Sequence, residues 1–125
     1  MIKVGKGYTL IELLVVVIIV GVLATLVVPR YFGQSERAIV SEAVAMLGTI
    51  RAAEVAYQLE YSAFTTNLSS LDIDTPDSTQ FTFTVNSVGA ATALRSGGGA
   101  TFNSTTIILD VAGSWSGTHP YVPSN

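Results

Sequence analysis

Between Leu10 and Val28 the only polar side chains are Glu12 and Thr25, and Pro29 and Arg30 follow at once. An apolar run of this length is long enough to cross the hydrocarbon core of a bilayer as one helix. A carboxylate inside such a helix is costly, about 2.5–3.5 kcal/mol at the bilayer centre on insertion scales and less near the interface. Glu12 therefore needs a partner. The run holds no cation, so the partner is expected from outside the segment.

What precedes the run is short and basic: Met1 to Gly7, with Lys3 and Lys6. A secretory signal would have a shorter apolar core and a small-residue cleavage site after it. This run ends instead in Val27-Val28-Pro29-Arg30-Tyr31-Phe32, with two bulky aromatics, so the apolar segment is expected to be retained. The two lysines put the leader on the cytoplasmic side and everything beyond Val28 outside.

The helical pattern resumes after Pro29. Ala43, Leu47, Ile50, Ala53, Tyr57 and Tyr61 recur at spacings of three and four, a stripe that faces a core. Glu36, Ser41, Glu42, Arg51, Glu54 and Glu60 are read as filling much of the remaining circumference. One helix from about Tyr8 to about Tyr61 follows, roughly 80 Å long at ~1.5 Å per residue. That exceeds a bilayer, so its outer half must pack on something in water. Pro29 removes a backbone donor, and Gly21 is a second weak point.

Beyond Phe64 the composition changes. Residues 65–79 are rich in Thr, Asn, Ser, Asp and Pro and read as a loop. Residues 80–88, from Gln80 to Val88, alternate apolar and polar, a strand whose Phe81, Phe83 and Val85 face suits the helix stripe. A weaker strand is expected at Ala91–Arg95 and a third at Thr105–Val111, with a turn or flexible tip at Ser96–Gly99 between them. The end, from Gly113 to Pro123, reads as irregular. The expected fold is α+β: a long N-terminal helix, a membrane half and an amphipathic half, on a small antiparallel sheet. The expected divisions are a leader at 1–7, an apolar helix at 8–29 and a globular head at 30–125.

Composition excludes several function classes. At net charge −3, with six scattered basic residues, no phosphate-binding surface is expected, and nucleic acid is not expected as the main partner. With no cysteine there is neither a disulfide nor a thiolate metal site. Asp72, Asp74 and Asp77 lack the glycine and closing glutamate of a calcium loop and are read as a solvated turn. The single His119 assembles no catalytic triad and is read as a surface or loop residue. No nucleophile–base pair or metal constellation is visible, so no enzyme activity and no cofactor are expected. Asn67 and Asn103 fit the N-glycosylation pattern, a match unsurprising in a Ser/Thr-rich chain. Trp115 is read as anchoring the C-terminal tail on the sheet, with a subunit contact as the alternative. Tyr31, Phe32, Tyr57, Tyr61 and Phe64 are read as helix-borne core aromatics.

The stretch from Lys6 to about Phe32 resembles the type IV pilin family, including its secretion pseudopilins. The matching features are Gly7, then Tyr8-Thr9-Leu10-Ile11-Glu12, the apolar run with Gly21, and Pro29. That is about a quarter of the chain. The family usually has Phe where this chain has Tyr8, and many members carry a C-terminal cysteine pair that is absent here. The resemblance implies cleavage by a prepilin peptidase between Gly7 and Tyr8 and N-methylation of the new Tyr8 amine. It further implies an inner-membrane precursor, handling by an assembly platform, and a homopolymeric extracellular filament. It also implies that the Gly21–Pro29 stretch unwinds in the filament; the alternative is that Pro29 only bends the rod.

Cleavage would supply the cation that Glu12 lacks. An incoming subunit could set its Tyr8 amine against a neighbour's Glu12, whereas an intrahelical alternative bonds Glu12 to its own Thr9 or Tyr8. Removing one partner from a buried charge pair costs roughly 3–5 kcal/mol, so such a pairing would select the correct axial register. The expected function is a pilin subunit of a type IV pilus-like surface filament. A type II secretion pseudopilin or minor pilin is the nearest alternative, and a non-polymerising membrane-anchored binding domain the next.

Overall fold

A computed structural model describes residues 5, 7–75, 78 and 80–125. Lys3, Lys6 and Asp77, on which parts of the leader and turn readings rest, lie outside the described residues. The chain divides into two units between Ser35 and Glu36, and one helix, α1 (Leu10–Tyr61), contributes to both.

In the first unit α1 carries the apolar run. Its side chains are exposed throughout, for example Leu10 at 87% and Val17 at 69%, and the run is long and apolar enough to cross a membrane. The helix continues without interruption through Gly21 and Pro29. Pro29 still leaves the Thr25 carbonyl without its intrahelical donor. The Thr25 hydroxyl meanwhile donates to the Val22 carbonyl at 2.7 Å, a back-bond that tends to bend helices. Tyr31 and Phe32 are 68% and 65% exposed, which corrects their assignment to a core: among the described residues of this unit nothing covers them.

The second unit is a layered α+β head. The remainder of α1 lies on a four-stranded antiparallel sheet in the order β1-β2-β3-β4. Its strands are β1 (Phe81–Val85), β2 (Ala91–Arg95), β3 (Thr106–Leu109) and β4 (Trp115–Gly117). Val40, Ala43, Leu47 and Ile50 from the helix meet Phe81, Ala91, Ala93, Ile107 and Leu109 from the sheet. Those strand residues alternate with exposed or half-buried ones, as a sheet with one covered face requires. The expected 80–88 strand ends at Val85. There Asn86 closes a turn, its side-chain oxygen accepting the Val88 and Ala90 N–H groups at 3.1 and 2.9 Å. In that turn Gly89 has φ +77, and a Cβ on it would lie 2.7 Å from the Phe64 ring. Phe64 itself stands past the end of α1, half-buried beneath this turn.

Two elements depart from the sequence reading. A short helix, α2 (Gly99–Phe102), occupies part of the expected glycine turn. The end expected to be irregular contains β4, paired through Leu109↔Trp115, Ile108↔Ser116 and Ile107↔Gly117. Three residues with two small side chains carry no alternation to read; the backbone partners offered by β3 make the strand. Trp115 packs partly buried against the core, and its backbone N–H and C=O both bond the Asn125 side-chain amide. The tail is held at that strand, in agreement with the anchoring role.

Candidate functional site

The residues at the start of α1 form the first candidate site. Gly7 and Tyr8 precede the helix in non-helical conformation and are exposed, Tyr8 at 82%. A Cβ on Gly7 would meet nothing within 4 Å, so the Gly7–Tyr8 peptide bond is open to approach. Thr9 then starts the helix through a capping box. Its hydroxyl accepts the Glu12 N–H at 3.3 Å, and Glu12 Oε2 accepts the Thr9 N–H at 2.8 Å.

This local geometry answers part of the question posed by Glu12. Its carboxylate bonds the chain's own backbone and relieves one of the orphan donors of the helix start. A carboxylate has about four acceptor positions, so the cap leaves capacity for a second donor. The cap also holds the group at the wall of an apolar hollow of about 390 Å³ lined by Tyr8, Ile11, Val15 and Val16. Because the Thr9 N–H lies beyond Tyr8, breaking the Gly7–Tyr8 bond would leave the capping box intact. The arrangement presents a fixed, half-satisfied anion within one helical turn of Tyr8.

A second polar constellation lies inside the head, and sequence reasoning missed it. Glu36 and Glu54, placed on the outer circumference above, are 4% and 0% exposed. With Val40, Ala43, Leu47 and Ile50 they continue the same three-and-four spacing. Extending that stripe by one step at each end was the signal available. Arg95 clamps Glu36 in a bidentate pair, Nε to Oε1 at 2.8 Å and Nη2 to Oε2 at 3.0 Å. Its Nη1 donates to the Gln80 carbonyl, the Gln80 side chain and the Ser96 carbonyl.

His119 is 4% exposed, not on the surface. Its Nδ1 accepts the Tyr121 N–H at 3.2 Å and its Nε2 faces Glu36 Oε1 at 3.1 Å. An Nδ1 that accepts puts the ring proton on Nε2, where it donates to the carboxylate. The ring stacks on Phe102 at 5.5 Å. Helix, β2 and C-terminal tail thus converge on one anion. The Arg95 hydrogen bond is the main cause that holds the Glu36 carboxyl below the usual range, with His119 adding to it against burial. Glu54 behaves oppositely. Burial pushes its carboxyl up, opposed by one bond from the Thr65 N–H at 3.2 Å. Its second oxygen has no partner among the described residues.

The other candidate positions are unremarkable in chemistry. Asp72 and Asp74 are exposed. Asn67 spends its side-chain oxygen on the Ser69 N–H as the cap of a 3-10 turn (Leu68–Ser70), and Asn103 spends its own on Gly97. No group of three or more possible metal ligands occurs among the described residues.

Comparison with known proteins bears on the first site. Residues 3–28 match the prokaryotic N-terminal methylation motif. The chain is 38% identical over 73 residues to the type IV major pilin protein PilE1 of Neisseria gonorrhoeae, covering 58% of this chain and 44% of that protein. It is 39% identical over 70 residues to a fimbrial protein of Neisseria meningitidis serogroup B, covering 56% and 41%. It is also 39% identical over 66 residues to the type II secretion system core protein G of Klebsiella pneumoniae, covering 53% and 47%. The match spans less than half the length of each of these relatives.

Proposed function

We propose that this chain is a structural subunit of a type IV pilus-like filament, made as a membrane precursor and polymerised through its N-terminal helix. The observation that carries this is Glu12: an anion held by a capping box at the head of an otherwise apolar helix, within a matched methylation motif. A prepilin peptidase would hydrolyse the Gly7–Tyr8 bond, and the new Tyr8 amine would be methylated. That amine is then a cation at the tip of each helix. Set against the free acceptor positions of a neighbour's Glu12, it neutralises the charge in a setting of low dielectric, where an unpaired ion is strongly penalised. The apolar side chains exposed on α1 would face lipid before assembly and equivalent helices afterwards. The Thr25–Pro29 stretch, already short of one backbone bond, is where that helix would open most easily as subunits pack.

Two measurements test this reading. Mass spectrometry of the N-terminal peptide should find methylated Tyr8, and an intact Met1–Gly7 leader on the surface-exposed protein would overturn it. Glu12→Val should insert in the membrane yet yield no filaments in the sheared fraction; filaments at wild-type yield would remove the intersubunit pairing. The similarity to core protein G of type II secretion favours a second use of the same chemistry, a secretion pseudopilin. Long surface filaments composed mainly of this chain select the first use, and filaments confined to the cell envelope select the second.

A further inference from the structure

Two hollows at opposite ends of the head's helical segment carry charges of opposite sign, Arg37 at one and Glu60 with Asp72 at the other. Near the start of the head, α1 and the C-terminal tail wall a hollow of about 550 Å³. Arg37, Val40, Val44, Tyr121 and Pro123 line it. The Arg37 guanidinium lies over the Tyr121 ring, 4.9 Å from its centroid, and forms no ion pair with any described residue. An arginine stacked on an aromatic face is held in place while its in-plane N–H donors stay available.

At the other end a second hollow of about 460 Å³ is lined by Tyr57, Glu60, Tyr61, Leu71 and Asp72. The Tyr57 and Tyr61 rings lie 4.4 Å apart at 30° and offer π faces beside two carboxylates, a setting that favours a guanidinium. Neither Glu60 nor Asp72 has a cationic partner among the described residues. The Glu60 charge is the main cause that pushes the neighbouring Tyr61 phenol up. About 35 Å of helix separates Arg37 from Glu60 at ~1.5 Å per residue, so the two hollows cannot meet within one molecule.

We infer that these hollows are the two halves of one contact between copies: the Glu60–Asp72 hollow of one subunit receives Arg37 of a second copy displaced along the helix axis. Such a contact is heterologous, so it propagates from copy to copy instead of closing a dimer. The inference rests on the filament reading and adds a register to it. The Tyr8–Glu12 pairing sets the register of one neighbour, and the two charged hollows set that of a second copy, at an offset near their separation.

The chain has no cysteine, which makes the contact directly testable. Ser41 and Ser70 line the two hollows. In cells expressing full-length Ser41→Cys/Ser70→Cys, a short bismaleimide should give a ladder of trimers and higher species. Each single variant has no cysteine pair at this contact and should stay monomeric. Adding Arg37→Glu should lower the species above dimer at least tenfold, and adding Glu60→Arg to that variant should restore them. Absence of a ladder while sheared filaments are still recovered overturns this contact and leaves the filament reading standing. Absence of both overturns both, and a ladder without filaments keeps the contact while removing the filament. A ladder indifferent to Arg37→Glu, or crosslinks that run only to other envelope proteins, overturns the inference as well.

Discussion

Glu12, Glu36 and Glu54 are three glutamates on one helix whose surroundings give them three different tasks. Glu12 is capped and half-satisfied at the helix start, Glu36 is clamped by Arg95 and His119, and Glu54 is buried with one oxygen unpartnered. The two buried groups tilt stability in opposite directions with pH. Glu36 has a folded pKa below its unfolded one, so its contribution is present above the unfolded value and is lost as pH falls through the folded value. Glu54 has a folded pKa above its unfolded one, so the folded state is favoured at low pH and loses stability as pH rises between the two values. Glu54→Gln keeps an acceptor for the Thr65 N–H and removes the titration. In detergent-solubilised protein, denaturation followed by the fluorescence of the single tryptophan should show this variant more stable than wild type at pH 8 and closer to it at pH 4. Arg95→Met leaves Glu36 buried without its main partner and should cost about 3–5 kcal/mol in the same assay. A loss below about 1 kcal/mol would mean that the clamp contributes no more than an exposed pair.

At the scale of elements, α1 and the sheet differ in how much of them a local pattern dictates. The helix is legible because its stripe repeats many times. Its apolar first half and the spacing of Val40, Ala43, Leu47 and Ile50 leave one assignment open. Strands β1, β2 and β3 follow from alternation and β-branched content, with ends displaced where turns intervene. Strand β4 has no such signal and depends on a single close approach. Gly117 has φ +134, and a Cβ there would run into the Thr106 carbonyl oxygen. Gly117→Ala should therefore cost about 1–3 kcal/mol from backbone strain alone. It should also raise amide exchange at Trp115–Gly117 and at Ile108, while leaving β1 and β2 protected. Unchanged exchange would show that β4 pairing tolerates a side chain at this position.

At the scale of the whole molecule, the proposed assembly combines two forces with different responses to solvent. Contacts among the apolar residues of Leu10–Val28 strengthen with kosmotropic salts and yield to detergents that coat them. A contact between Arg37 and Glu60–Asp72 is screened as ionic strength rises, because the Debye length falls to about 3 Å at 1 M. Filaments should therefore stay sedimentable in 1 M sodium chloride but become more flexible and easier to shear, and they should dissociate in detergent at low salt. Dissociation by salt alone would reverse this ranking and assign the cohesion to charge.

The sequence by itself determined the elements whose physics is local: the apolar span, the carboxylate that span cannot satisfy, the long helix and three of the four strands. The capping of Glu12 by Thr9 was local enough to be named as an alternative. The tertiary structure alone decided which polar residues lie inside. Glu36 meets Arg95 across 59 positions of sequence and His119 across 83, so no window along the chain shows them as partners. Burying them is tolerable only because all three arrive together, and that is a property of how the layers pack. The same reason left Tyr61, which has the composition of a core residue, 58% exposed at the end of α1.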